Sequence, residues 1–161
     1  MRLTAMILVS TMVLLVPSLT LATTWSVPSP ECPTIQAGID SAAAGDTVLV
    51  ACGTYTWTGE GTGESGTLIR MKSGVWLRSE TGLPDCVTID AENQGRILYC
   101  GYKSDSVIEG FTFAGGTKSA GGGAIYCSYS SLTVLHCVFS GNSAADGGGM
   151  YCQSSSLTVT Y

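Results

Sequence analysis

Gly122-Gly123-Ala124-Ile125-Tyr126-Cys127 recurs at an offset of 25 as Gly147-Gly148-Gly149-Met150-Tyr151-Cys152, and Ser131-Leu132-Thr133-Val134 recurs at the same offset as Ser156-Leu157-Thr158-Val159. A looser copy precedes both, running from Ile97-Leu98-Tyr99-Cys100 through Val107-Ile108 to Phe111-Thr112-Phe113 at offsets of 26 to 27. A unit of this length, made of short β-type runs and Gly-rich corners, is too short for two helices with turns or for a four-stranded propeller blade. It fits one turn of a parallel β-helix. Each unit then gives a strand to each of several parallel sheets, and each residue sits over its counterpart at roughly 4.8 Å.

The repeat lets equivalent positions be compared within one chain. Ile108, Val134 and Val159 correspond and are all β-branched; Phe111 corresponds to Cys137, and Phe113 to Phe139. The apolar parity changes between Val134 and Cys137, so Leu135-His136, like Glu109-Gly110, turns a corner. Leu98, Ile125 and Met150 share a strand face with Cys100, Cys127 and Cys152, which predicts an inward cysteine ladder and an outward tyrosine ladder of Tyr99, Tyr126 and Tyr151. The glycines at 121–123 and 147–149 mark turns that need φ above zero or close stacking.

Toward the N-terminus, an open solenoid end is an apolar surface and a strand edge, which natural solenoids cover. Thr34 can cap a helix after Pro33; Ile35, Ile39, Ala42 and Ala43 fall on one helical face, and Gly45 stops the helix, which predicts a capping helix over 34–44. Asp46-Thr47-Val48-Leu49-Val50 then reads as the first strand, buried on both sides. Before the cap, Arg2, the apolar run from Ala5 to Val16, Pro17 and Thr20-Leu21-Ala22 make residues 1–22 a cleavable export signal. The apolar run is too short to span a bilayer. The expected organisation is signal 1–22, cap 23–52 and β-helix rungs 53–161.

The stretch Thr34-Ile35-Gln36-Ala37-Gly38-Ile39-Asp40, with Gly45-Asp46-Thr47-Val48-Leu49-Val50 and Gly53-Thr54-Tyr55, resembles the opening cap of bacterial secreted right-handed β-helix repeat proteins, and pectin-acting enzymes of that fold begin similarly. Gly74-Val75-Trp76-Leu77-Arg78-Ser79-Glu80, Val87-Thr88-Ile89-Asp90 and Ile108-Glu109-Gly110-Phe111-Thr112 are similar to that family's first rungs. Gly122-Gly123-Ala124-Ile125 and Phe139-Ser140-Gly141-Asn142 are similar to the repeats of polymorphic outer-membrane proteins. The resemblance implies an all-β, right-handed parallel β-helix, exported to the outside of the cell or its surface, and it says little about activity. The chain stops at Thr158-Val159-Thr160-Tyr161 in the middle of a unit, so further rungs are expected C-terminal to 161.

Charge narrows the functional classes. Arg2 lies in the export segment, so the rest of the chain carries 6 basic against 12 acidic side chains, a net charge of −6. The basic residues Arg70, Lys72, Arg78, Arg96, Lys103 and Lys118 are scattered singly, which argues against a nucleic-acid surface. Seven cysteines in an exported chain leave at least one unpaired. Cys32 and Cys52 flank the cap helix and are the candidate disulfide, whereas the ladder cysteines have parallel Cβ vectors and are expected to be free thiols. With no CxxC pair and a single histidine, no metal or cofactor site is expected.

His136 aligns with Gly110 and Tyr161, which marks an exposed and unconstrained corner rather than a catalytic residue. Asp85, Asp90, Glu92, Arg96, Asp105 and Glu109 are close enough in sequence to suggest a carbohydrate-active cluster, but their positions at strand ends and turns favour structural roles. The tyrosine ladder, with Trp57 and the following Gly-rich stretch, could offer an aromatic platform, although stacked aromatics also simply stabilise a sheet. The expected function is a non-enzymatic surface or secreted scaffold for adhesion to an unknown ligand or carbohydrate. The alternative is the N-terminal part of a lyase or esterase acting on pectin-like polysaccharide, with its catalytic rungs beyond residue 161.

Overall fold

The computed structural model describes residues 21–60 and 66–161; the expected export signal falls almost wholly outside them. The described chain winds as an all-parallel β-solenoid of about five turns. It opens with strand β1 (Thr24–Val27) and helix α1 (Ile35–Ser41). A first turn follows, with β2 (Thr47–Val50), β3 (Gly53–Thr56), the short helix α2 (Trp57–Glu60) and β4 (Thr67–Arg70). The second turn holds β5 (Trp76–Ser79), β6 (Val87–Asp90) and β7 (Arg96–Gly101), and the third β8 (Ser106–Glu109), β9 (Phe111–Ala114), β10 (Thr117–Gly121) and β11 (Ile125–Ser128). The last stretch comprises β12 (Ser131–Leu135), β13 (Val138–Ser140), β14 (Ser143–Asp146), β15 (Met150–Gln153) and β16 (Ser156–Thr160).

These strands stack into three long sheets: β1-β2-β5-β8-β12-β16, β3-β6-β9-β13, and β4-β7-β11-β15; β10 and β14 form a fourth, two-stranded sheet. The register is the one the repeat specifies. Val134 lies between Ile108 and Val159, Phe139 pairs with Phe113, and Cys127 lies between Cys100 and Cys152. Alternate residues of each strand enter one continuous core: Val48, Leu77, Ile108 and Val134 from the first sheet, Ile89, Phe111 and Phe113 from the second, Leu98 and Ile125 from the third. Phe113 sits 5.9 Å from Phe111 and 5.5 Å from Phe139, ring centre to ring centre, continuing the core as an aromatic stack. The turns demanded at the glycine runs are present, with φ of 71° at Gly122 and 57° at Gly147. At Gly123 a Cβ would come within 2.5 Å of the Gly148 carbonyl oxygen, so rung-on-rung contact excludes a side chain there.

Three expectations are corrected. Helix α1 ends at Ser41 rather than 44, because Ala42 is already extended (φ −72°, ψ 144°) and the Lys72 ammonium takes the carbonyls of Asp40 (2.7 Å) and Ala42 (2.9 Å). Its start is as expected, with the Thr34 hydroxyl accepting from the Ala37 amide at 3.1 Å. The first strand is β1 rather than 46–50: Thr24-Trp25-Ser26-Val27 pairs in register with Thr47 through Val50. The Asp46 carboxylate holds this edge by accepting from the Thr23 amide, the Trp25 indole and the Ala43 amide at 2.7 to 3.0 Å.

The third correction is the disulfide. Cys52 bonds to Cys86, not to Cys32, across a Cα separation of 4.7 Å. Gly53 pairs with Val87, so the two cysteines lie one residue before equivalent strand starts, stacked at a corner. Cys32 is instead a buried free thiol, its sulphur 3.9 Å from the Ser41 hydroxyl at the end of α1.

Candidate functional site

The outer face of the third sheet carries the expected tyrosine ladder. Tyr99, Tyr126 and Tyr151 stack with ring centres 5.8 and 5.6 Å apart. The Arg70 guanidinium lies 5.2 Å over Tyr99 and that of Arg96 lies 4.6 Å over Tyr126. Ring faces are therefore consumed within the ladder, and the Tyr126 hydroxyl donates to Gln153. Such a stack stabilises the sheet and offers a ligand little more than its edges. Trp57 is buried, with Gly95 leaving room for its ring, so it belongs to the core and not to a platform.

A second, shorter stack was not anticipated. Tyr102 and Tyr129 lie 5.3 Å apart and nearly parallel, 73% and 54% exposed. Both occupy left-handed backbone, with φ of 54° and 47°, a conformation that bulky residues seldom adopt. The signal was in the sequence: Tyr99-Cys100-Gly101-Tyr102 and Tyr126-Cys127-Ser128-Tyr129 extend the ladder motif to a second matched tyrosine. One face of Tyr102 rests on Tyr129, while the rest of its ring borders a cleft.

That cleft, about 520 Å³ in volume, lies between α1 and the start of the third sheet. Helix α1 contributes Gln36 and Asp40; β4 and the turn after it contribute Arg70 and Lys72; β7 and its following corner contribute Tyr99, Tyr102 and Lys103. The helix is locked in place from the cleft side. The Gln36 side-chain oxygen accepts from the Arg70 amide at 2.7 Å, its amide nitrogen donates to Asp40 at 2.8 Å, and Lys72 holds the last carbonyls of the helix. The fold thus brings three of six scattered cations to one concave surface of an acidic chain, with Asp40 the carboxylate among the described lining residues. Walls of low polarisability around such a group focus its field on an approaching anion.

The acidic residues singled out from the sequence do not converge. Asp90 accepts from the Glu92 amide, Glu92 accepts from the backbone and hydroxyl of Thr58, and Arg96 is buried with its guanidinium on the carbonyls of Gly121 and Gly122. Burial also pulls the Arg96 pKa down from its ordinary value. Asp105 sits at a corner with φ of 55°. Glu109 lies 3.1 Å from Arg78 and 3.7 Å from His136. His136, expected to be exposed and unconstrained, is only half-exposed and has Glu109 as a neighbour.

Within the core, Cys100 and Cys127 are fully buried and Cys152 partly so, all three as free thiols. Cys137, also free, directs its sulphur to the Leu135 carbonyl at 3.2 Å, and burial pushes its thiol up to about 11. Among the described residues, no helix is long and apolar enough to cross a membrane. Comparison of the chain with protein-family models, with curated proteins and with solved structures returns no match.

Proposed function

We propose that this chain is an exported right-handed parallel β-helix that serves, outside the cell or on its surface, as a non-enzymatic binding scaffold. The right hand is the one that parallel crossover connections adopt almost without exception. Export follows from the character of residues 1–22, and the repeats similar to those of polymorphic outer-membrane proteins favour a surface passenger. The single observation that carries the reading is the cleft beside α1, which Arg70, Lys72 and Lys103 line together with the exposed Tyr102 ring. A cationic hollow with an aromatic wall suits a polyhydroxylated chain bearing anionic groups, such as an acidic carbohydrate. The sugar ring packs on the tyrosine and its carboxylates or sulfates meet the cations. Polysaccharide cleavage needs carboxylates converging on the bond or on calcium, and Asp90, Glu92 and Glu109 are each engaged separately.

Isothermal titration of the full chain against acidic polysaccharides, uronate-rich and sulfated, and against neutral ones tests this. Acidic chains bind, binding weakens as salt rises, and Tyr102→Ala or Lys103→Glu abolishes most of it without lowering the melting temperature. Equal affinity for neutral chains, or no binding at all, refutes the cleft; release of unsaturated product absorbing in the ultraviolet restores the lyase alternative.

A further inference from the structure

Cys100, Cys127 and Cys152 occupy β7, β11 and β15 in strict register, one above the next, and no feature of the cleft uses them. Parallel strands hold equivalent atoms about 4.8 Å apart, and mid-strand Cβ bonds of stacked residues run parallel. A disulfide needs its Cβ atoms drawn to roughly 3.5–4.5 Å. The Cys52–Cys86 bond forms at a corner, outside the strands, whereas the ladder cysteines lie within strands and are free. The rung spacing is instead close to twice a metal–thiolate bond of roughly 2.3 Å. We propose that the ladder is a binding site for a soft, two-coordinate d10 cation, Cu(I) or its analogue Ag(I), held sulphur–metal–sulphur between adjacent rungs with Cys127 as the shared ligand.

The surroundings fit that chemistry. The donors are sulphur alone, and thiolates select soft ions, whereas hard cations require oxygen ligands. The strand register sets Cys100 and Cys152 on the rungs either side of Cys127. Binding is a plain ligand exchange: a monovalent ion takes the Cys127 thiol and one neighbouring thiol, two metal–sulphur bonds replace two sulphur–hydrogen bonds, and two protons leave to solvent. No electron is transferred.

The test uses the full chain under anaerobic conditions, titrated with Ag(I), and with Cu(I) against a competing chelator, while native mass spectrometry counts bound ions and ultraviolet charge-transfer absorption reports thiolate ligation. One or two ions bind, since two intervals share Cys127. Cys127→Ser weakens binding by more than about 100-fold, beyond the usual effect of losing an outer-shell partner. Cys32→Ser and Cys137→Ser leave it unchanged, and Zn(II), which prefers four ligands, is not taken up. Should Cys127→Ser fail to fold, Cys152→Ser removes one interval at the less buried end and reduces the stoichiometry or the affinity. Retention of full affinity by Cys127→Ser, unchanged stoichiometry and affinity in Cys152→Ser, absence of binding in the parent chain, or a ladder disulfide in the untreated protein overturns the proposal.

Discussion

The two halves of the solenoid are held together differently. In the N-terminal half, rungs are long and unequal: the pairing of Thr47 with Trp76 spans a shorter stretch of chain than that of Gly53 with Val87. In the C-terminal half, rungs settle to nearly one length, as the pairings of Phe113 with Phe139 and of Ser131 with Ser156 show. The first half anchors its excursions with directional bonds: Asp46 on three donors, Glu60 on the Ile35 amide at 2.6 Å, and the Cys52–Cys86 link. The second half uses stacks of like residues, tyrosine on tyrosine, cysteine on cysteine, phenylalanine on phenylalanine. Extra loop length costs little entropy, so unequal rungs are tolerated where a few strong contacts fix the corners.

Removing the corner link should have the largest effect. The double variant Cys52→Ala/Cys86→Ala releases a loop with a sequence separation of 34 and is expected to lose about 3–4 kcal/mol in denaturant unfolding. A loss below about 1 kcal/mol would mean that the N-terminal rungs are carried by packing, as the C-terminal ones are. Cys127→Ala, in the middle of a stack, should cost less, about 1–2 kcal/mol, through the small cavity it leaves. A larger cost there than at the corner would invert the comparison.

The N-terminal anchors should also respond to pH with opposite signs. Hydrogen bonds from the Ala43 and Thr23 amides and the Trp25 indole hold the Asp46 carboxyl below its ordinary value, while burial raises that of Glu60. A depressed carboxyl contributes stability above its unfolded pKa that is lost as pH falls through the folded value. Asp46→Asn should therefore melt lower than the parent near neutrality, with the gap closing on acidification below about pH 4. For Glu60 the contribution is present at low pH and lost as pH rises through the raised value, so Glu60→Gln should gain on the parent toward neutrality. Melting temperatures of the three proteins from acid to neutral pH decide both. Thiol labelling reads the C-terminal half directly: at about pH 8, Cys137 and Cys152, both at about 11, should alkylate about 100-fold more slowly than an exposed thiol, as peptide mapping would show.

How legible each half was follows the same division. The equal rungs placed Ile108 under Val134 and Tyr99 under Tyr126 without any structure, because a fixed period aligns neighbours by counting. The helix start was legible from Thr34, a local capping choice. The helix end was not, since it depends on Lys72, which reaches back from the next rung to the Ala42 carbonyl. The partner of Cys52 was missed because nothing local marks a loop that returns to the same corner at a sequence separation of 34.

What the residues determined by themselves is the period, the inward and outward alternation and hence the parallel stacking, all of which are set by side chains a few positions apart. Only the tertiary structure decided which cations meet beside Tyr102, which cysteines bond and which remain a ladder of thiols. Those outcomes depend on where unequal loops set each rung against the last, and on whether two stacked Cβ bonds converge at a corner or run parallel within a strand.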